Sequence, residues 1–290
     1  MIPSLISLRN EYLSVSISDL GAEMQNLCMH DGRNILWNGD AAFWTGRAPI
    51  LFPIVGRAPN DEIAVGDHKA DMAQHGFVRR SVFKLDDVTA HMCRHVLQDN
   101  DNTRHSYPFR FQMTVTHRII DKTLDVQVII ENRDNRSMPF GFGFHPAFSW
   151  PLPGGEGQVH HVLLDNEAEP EMVRLQDGLI PDQILASPFT KGRLEITPDM
   201  FCEDAMIFPS GSGTGLTYGI EGGPQLKFNF ENLPNLALWS KPNAPFLCVE
   251  PWHGMAARVS ASPQISERPY SLELAVNGAI KFGYKAEIRL

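Results

Sequence analysis

Strict alternation of apolar and polar residues recurs along this chain and restricts it more than any other feature. Residues 12–20 read Tyr-Leu-Ser-Val-Ser-Ile-Ser-Asp-Leu, with Leu13, Val15 and Ile17 on one side and serines on the other. That period belongs to a half-buried strand, since helices repeat their apolar residues every three or four. Phe109, Phe111, Met113, Val115, His117 and Ile119 follow the same rule, as do Leu124, Val126, Val128 and Ile130, and Asp121-Lys122 lies between the two runs. A long hairpin is expected there. Leu226, Phe228 and Phe230 alternate, as do Leu272, Leu274 and Val276, and then Phe282, Tyr284, Ala286, Ile288 and Leu290. Gly21–Leu27 continues into a further strand, and Asp31-Gly32 is a hairpin-type turn before Ile35-Leu36-Trp37. No helical stripe of a dozen residues interrupts the series. With 21 prolines and 23 glycines as punctuation, the chain is expected to be all-β, a sandwich or large barrel-like double sheet, with residues 1–290 forming one domain. Trp44–Arg57, broken by Pro49 and Pro53, reads as a shaped loop or edge. Pro151–Glu171 reads as an exposed excursion.

Several function classes are excluded on simple grounds. No window approaches the roughly 18 apolar residues of a membrane helix, and Met1–Asn10 lacks the basic start and apolar run of a secretory signal. A cytoplasmic location is expected. The formal charge of −9 comes with no basic stripe, which argues against nucleic acid and anionic membrane and for a neutral or small substrate. Cys28, Cys93, Cys202 and Cys248 are far apart without a Cys-x-x-Cys pair, so they read as buried thiols and not as a metal or redox motif. His91, Cys93 and His95 share one face of a strand, but no acidic partner is near in sequence and no metal site is assigned to them. No cofactor is implied, and either a monomer or a homodimer is compatible with the sequence.

Five places concentrate chemistry. Gly141-Phe142-Gly143-Phe144-His145-Pro146-Ala147-Phe148-Ser149-Trp150-Pro151 sets a histidine among aromatics, and Pro146 biases His145 towards an extended, fixed orientation. A held imidazole can act as a general acid; the alternative is a core histidine at a strand end. Gln74-His75-Gly76-Phe77-Val78-Arg79-Arg80 again puts a histidine beside glycine, with two cations behind it. Arg57 follows Gly56, so its fork of donors can approach a ligand, or it can form a surface ion pair. Asp204 lies beside an apolar run and is either functional or a turn cap. Glu250 ends the apolar run Phe246–Val249 and precedes Pro251. Desolvation there raises a carboxyl pKa towards the range of a general base.

Taken together, these stretches resemble the aldose 1-epimerase (galactose mutarotase-like) family, closest to its LacX-type branch. The matching blocks are Ile35-Leu36-Trp37, Arg47-Ala48-Pro49 through Phe52-Pro53-Ile54-Val55-Gly56-Arg57, Gln74-His75-Gly76-Phe77-Val78-Arg79, Gly143-Phe144-His145-Pro146-Ala147-Phe148 and Val249-Glu250-Pro251-Trp252-His253-Gly254. They keep the family order from near the start of the chain to near its end. The resemblance implies a β-supersandwich without a metal, Glu250 as general base, His145 as general acid, and His75, Arg57 and Asp204 as groups that bind and orient a sugar. Trp37, Phe144, Phe148, Trp150 and Trp252 are candidates for an apolar platform under the sugar, with one or two of them expected to touch it. The chain departs from its relatives after the Glu-Pro-Trp block, where Gly254-Met255-Ala256-Ala257-Arg258 lacks the aspartate usual in the branch, so the pocket rim is expected to differ.

The expected activity is interconversion of the α and β anomers of an aldohexose. One rival has the same fold and acts on hexose phosphates, with Arg57, Arg79 and Arg80 as a phosphate clamp. Glycoside hydrolysis by Asp204 and Glu250 is a second, but it leaves His145 without a role. A sugar-binding sensor without turnover is the third.

Overall fold

The computed structural model describes residues 3–290, and strands Phe111–Ile120 and Thr123–Asn132 form the expected long hairpin. The last strand, Ala279–Arg289, pairs with the second arm so that Val126 faces Tyr284 and Val128 faces Phe282. These three strands are neighbours within a nine-stranded sheet. It continues through Gln225–Glu231, Gly215–Gly219, His161–Leu164 and Arg193–Glu195 on one side, and through Met92–Gln98 and Lys84–Val88 on the other. All its pairings are antiparallel.

A second sheet runs in the order Met206–Phe208, Asn235–Trp239, Phe246–His253, Phe142–Phe144 and Ile50–Leu51, with Ala147–Ser149 also paired to Phe246–His253. Aromatic rings join the two sheets. Phe142 stacks on Phe282 at 4.5 Å, Phe144 meets Tyr284 edge-on at 4.9 Å, and Phe148 meets Phe228 at 5.1 Å. Burying each such side chain is worth roughly 1.5–3 kcal/mol, and each favourable ring pair about 0.5–1.5 kcal/mol more. The apolar phase of the alternation therefore becomes the filling of a β-sandwich. A three-stranded meander, Leu5–Arg9, Leu13–Ser18 and Met24–Met29, adds to the same core. Among the described residues the one α-helix is Asp101–Ser106, capped by the Asn100 side chain, and no helix is long and apolar enough to cross a membrane.

Four expectations need correction. Pro151–Glu171 is not simply an exposed excursion, because His161–Leu164 is a strand of the large sheet and His160 is buried, its Nε2 accepting from the Leu152 N–H at 3.0 Å. The thiols are not all buried: Cys202 is exposed and Cys28 half-buried. Ile35-Leu36-Trp37 follows the expected turn, with Asn34 bridged to Cys28 and the Ile35 N–H donating to the Leu27 carbonyl at 2.9 Å, but it is no continuous strand and reaches the second sheet through an isolated bridge from Leu36 to Phe148. Finally, the strand does not end at Glu250 but runs on through Pro251 to His253.

The last difference creates the site. Ala147–Ser149 pairs with residues 246–248, and Phe142–Phe144 pairs with residues 252 and 253. His145-Pro146 is the joint between these two short strands, and it lies opposite Val249-Glu250-Pro251, with the Val249 N–H donating to the Pro146 carbonyl at 3.1 Å. Neither proline can donate to the ladder, so the pairing opens where the histidine and the glutamate face one another. Gly143 permits the close approach, since a Cβ there would sit 2.4 Å from Cδ1 of Trp252.

Candidate active site

Glu250 is 1% exposed and His145 7% exposed, and His145 Nε2 lies 3.2 Å from Glu250 Oε2. Both line a cavity of about 350 Å³ together with Trp44, Gly56, Gln74, His75, Arg79, Asp204, Trp239, Lys241 and Trp252. That volume falls near the small end of the range for small-molecule sites, about 300–1,000 Å³. Leu175, Ala205, Ile207 and Ala256 complete an apolar wall.

The His145 ring is clamped. Trp44 stacks on it at 4.9 Å, Trp239 meets it edge-on at 5.6 Å, and His75 meets it edge-on at 5.5 Å. Its backbone N–H donates to the Pro49 carbonyl at 3.1 Å. The loop that carries Trp44 and Pro49 is itself held by Glu23, whose Oε1 accepts from the N–H groups of Arg47 and Ala48.

His75 is locked more tightly still. Its backbone N–H donates to the Gly56 carbonyl at 2.9 Å, and its Nδ1 accepts from the Gly56 N–H at 3.1 Å. A nitrogen that accepts cannot carry the proton, so neutral His75 holds it on Nε2. That N–H is the donor the ring has left; the Gln74 amide group, whose nitrogen stands 3.3 Å away, accepts it only when turned to present its oxygen. The turn needs a positive φ of 68° at His75 and 73° at Gly76, where a Cβ would meet the Phe52 carbonyl oxygen at 2.1 Å. Only glycine can occupy position 76.

Burial dominates the electrostatics. It pushes the Glu250 carboxyl well above the usual range, the negative charge of Asp204 adds to that, and the Trp252 indole opposes it without forming a hydrogen bond of good geometry. Burial, reinforced by the positive charge of Arg79, pulls His145 down to about 3. His75 is lowered by burial first and then by His145 and three arginines, Arg79, Arg268 and Arg80. Burial thus disfavours the charged form of both groups, and the two lie close enough for a proton to pass between them. A proton moved from the carboxyl to the imidazole leaves a carboxylate base beside an imidazolium acid.

Five of the expected residues, Glu250, His145, His75, Asp204 and Trp252, meet at this cavity. Two do not. Arg57 turns to the surface, where its guanidinium pairs with Asp61 through two hydrogen bonds of 2.8 Å, and Phe144 is buried between Phe142 and Tyr284. Of the aromatic platform candidates only Trp252 reaches the cavity; Trp37 packs on Phe246, Trp150 on Phe201 and Phe148 on Phe228. Sequence reasoning missed Trp44, Trp239, Gln74 and Lys241. A tryptophan opening the proline-broken loop after Ala42-Phe43, and another ending the run Leu236-Ala237-Leu238, were the available signals.

Comparison with known proteins gives a consistent result. A family model described as Aldose 1-epimerase matches residues 4–264. The plasmid-encoded Protein LacX of Lactococcus lactis subsp. lactis is 29% identical over 277 residues, covering 91% of this chain and 92% of that one. A galactose mutarotase related enzyme from Lactobacillus acidophilus superposes with a TM-score of 0.93 at 26% identity, covering 99% of this chain and 98% of that chain. A galactose mutarotase-like protein from Lactobacillus casei superposes with a TM-score of 0.91 at 26% identity, covering 99% of this chain and all of that chain.

Proposed function

The chain belongs to the aldose 1-epimerase family, and on that premise we propose that it is a mutarotase, interconverting the α and β anomers of an aldohexose by acid/base ring opening and closure. The observation that carries this reading is the 3.2 Å contact between His145 Nε2 and Glu250 Oε2 on the wall of a cavity of single-sugar size. The hydroxyl oxygen O1 and the ring oxygen O5 are bonded to the same carbon, so two proton-transfer groups on one cavity wall can each reach one of them. Glu250 takes the proton from O1 while His145 gives one to O5. The C1–O5 bond breaks, O1 becomes the carbonyl oxygen of the open-chain aldehyde, and the pair has exchanged its proton states. Rotation about C1–C2 presents the other face of the carbonyl. Closure then returns a proton from Glu250 to O1 and one from the new ring hydroxyl to His145, so the enzyme ends as it began. His75 Nε2–H and Arg79 stabilise negative charge on the sugar oxygens and hold the open chain, while the tryptophans cover its C–H faces. No step requires a cofactor.

A general acid or base is typically worth about 10²–10⁴-fold in rate. Polarimetry on freshly dissolved α-D-glucose and α-D-galactose should therefore show accelerated equilibration that Glu250→Gln reduces by about 100-fold or more. An unchanged rate in that variant would remove Glu250 from the chemistry. No acceleration with any sugar, beside clear sugar binding, would favour a sensor.

A second reading, a hexose phosphate as substrate, is favoured by Arg79 and Lys241. Both line the cavity, and neither forms an ion pair among the described residues, the Lys241 ammonium donating only to the Phe43 carbonyl at 2.9 Å. Arg57 and Arg80 do not join them there. Running the same assay on glucose 6-phosphate and galactose 6-phosphate separates the two readings by which sugar has the higher kcat/KM.

A further inference from the structure

Behind the catalytic pair lies a third group that these proton transfers leave unused. Cys248 precedes Glu250 by two residues on the strand Phe246–His253, so both side chains leave the same face of that strand. Its thiol is buried, and a His145 ring nitrogen, Cys248 Sγ and a Glu250 carboxylate oxygen all lie within 4.8 Å of one another. Among the described residues, Glu250 Oε2 and His145 Nδ1 are buried without a hydrogen-bond partner. One nitrogen, one sulfur and one carboxylate oxygen gathered in a protected place form a donor set that transition metals bind.

The distances agree with such a role. Zinc takes sulfur at about 2.3 Å and nitrogen or oxygen at about 2.0–2.2 Å in a tetrahedron, which sets ligand atoms about 3.3–3.8 Å apart. His145 and Glu250 already stand at 3.2 Å, and a rotamer-scale movement of the thiol completes the face. We propose that His145, Cys248 and Glu250 form a binding site for a borderline-soft divalent transition-metal ion such as Zn²⁺, with its fourth coordination position directed into the cavity. Charge balance supports the assignment: thiolate, carboxylate and a doubly charged cation sum to zero, so burial of the complex leaves no net charge unpaired. Binding releases two protons to solvent, one from the thiol and one from the pair formed by His145 and Glu250. Arg79 on the cavity wall opposes the cation, and Asp204 favours it. The ion takes up the electron pairs that the proposed base and acid use, so on the mutarotase reading a metal-loaded site does not open sugars.

Cobalt(II) reports on this directly, because a thiolate ligand gives a sulfur-to-cobalt charge-transfer band in the near ultraviolet. Titration of the full-length protein with Co²⁺ should raise that band to saturation at one equivalent, and Zn²⁺, which generally binds such sites more tightly than Co²⁺, should remove it. The band should vanish in Cys248→Ser and persist in Cys202→Ser, which removes the exposed thiol. Outer-sphere partners alone are worth about 10–100-fold in metal affinity, so Glu250→Gln, which removes a direct ligand but keeps the shape, should weaken Co²⁺ binding by about 100-fold or more. Glu250→Gln carries the test if Cys248→Ser does not fold. A band that survives in Cys248→Ser, an absent band in the wild type, or unchanged affinity in Glu250→Gln overturns the assignment. None of these spectra involves turnover, so they test the metal site whatever polarimetry finds.

Discussion

Arg57 and Arg79 have the same side chain in opposite settings. The Arg57 guanidinium is exposed and paired with Asp61, four residues further on, a contact that solvent screens heavily. Arg79 is half-buried at the cavity wall, and its charge lowers the pKa values of both His145 and His75. Arg57→Ala should therefore leave anomer equilibration unchanged. On the proposed mechanism, Arg79→Ala removes a charge-assisted hydrogen bond to substrate worth about 1.5–3 kcal/mol, which corresponds to roughly a 10–100-fold rise in KM. Loss of its repulsion also raises the two histidine pKa values, so the acid limb of the pH profile should move to higher pH. Equal effects of the two substitutions, or an unmoved acid limb, would remove Arg79 from the site. Local sequence could not separate the two: each lies close to a glycine in a motif block, and which one points inward depends on how Gly56 and His75 bond to each other across the gap between their segments. Trp44 and Trp239 were obscure for the same reason, since loop tryptophans and core tryptophans read alike until the loop is closed.

At the scale of strands, alternation revealed which residues share a face but not which strands lie side by side. His95 and Cys93 were legible as neighbours on one face of a strand. That His117 stands directly opposite Cys93 on the adjoining strand was not, because register is fixed by pairing and not by local pattern. Both histidines are buried, and among the described residues both ring nitrogens of His95 and Nδ1 of His117 lack hydrogen-bond partners. Burial, with a smaller contribution from His95, lowers His117 to about 3, against an unfolded value of about 6.5. A lowered histidine means that the unfolded chain binds more protons than the folded one below pH 6.5. The contribution of His117 is then complete above that pH and is lost as pH falls from 6.5 towards 3. By pH 5 the loss is about 2 kcal/mol. Urea unfolding midpoints at pH 7 and pH 5 measure it, and His117→Val, which suits a buried strand position, should reduce the difference by about that amount. If the variant is as acid-sensitive as the wild type, His117 is not the group responsible.

Across the whole molecule the site is assembled from segments far apart in the chain: the loop around Trp44, the turn at His75, the joint at His145, the residues around Asp204, and the strand through Glu250. The fold class was readable because alternation is a property of each strand alone, and the motif blocks were readable because each is short. Their convergence was not readable, since it depends on the packing of the two sheets and on ties that join distant loops. Arg268 is such a tie. It is buried, and its guanidinium donates to the carbonyls of Val55 at 2.6 Å, Met255 at 3.1 Å and Arg57 at 3.2 Å, linking the loop before His75 to the loop after Glu250. The Val55–Arg57 loop contains Gly56, whose N–H and carbonyl hold His75 in place. Nothing in the text around Arg268 marks it, because its partners are backbone atoms. Arg268→Met keeps much of the apolar stem but takes the donor from the Val55 and Met255 carbonyls, while the Arg57 carbonyl still accepts from the Ala257 N–H at 3.1 Å. With hydrogen bonds to a charged group worth about 1.5–3 kcal/mol each and partial relaxation of the loops, a loss of about 3 kcal/mol is expected in urea unfolding. Because His75 binds substrate in the proposed mechanism and Glu250 and His145 do the chemistry, the variant should raise KM more than it lowers kcat. A fall in kcat at constant KM would mean that the tie holds the catalytic pair and not the sugar-binding turn, and unchanged stability would mean that the loops keep their shape without it.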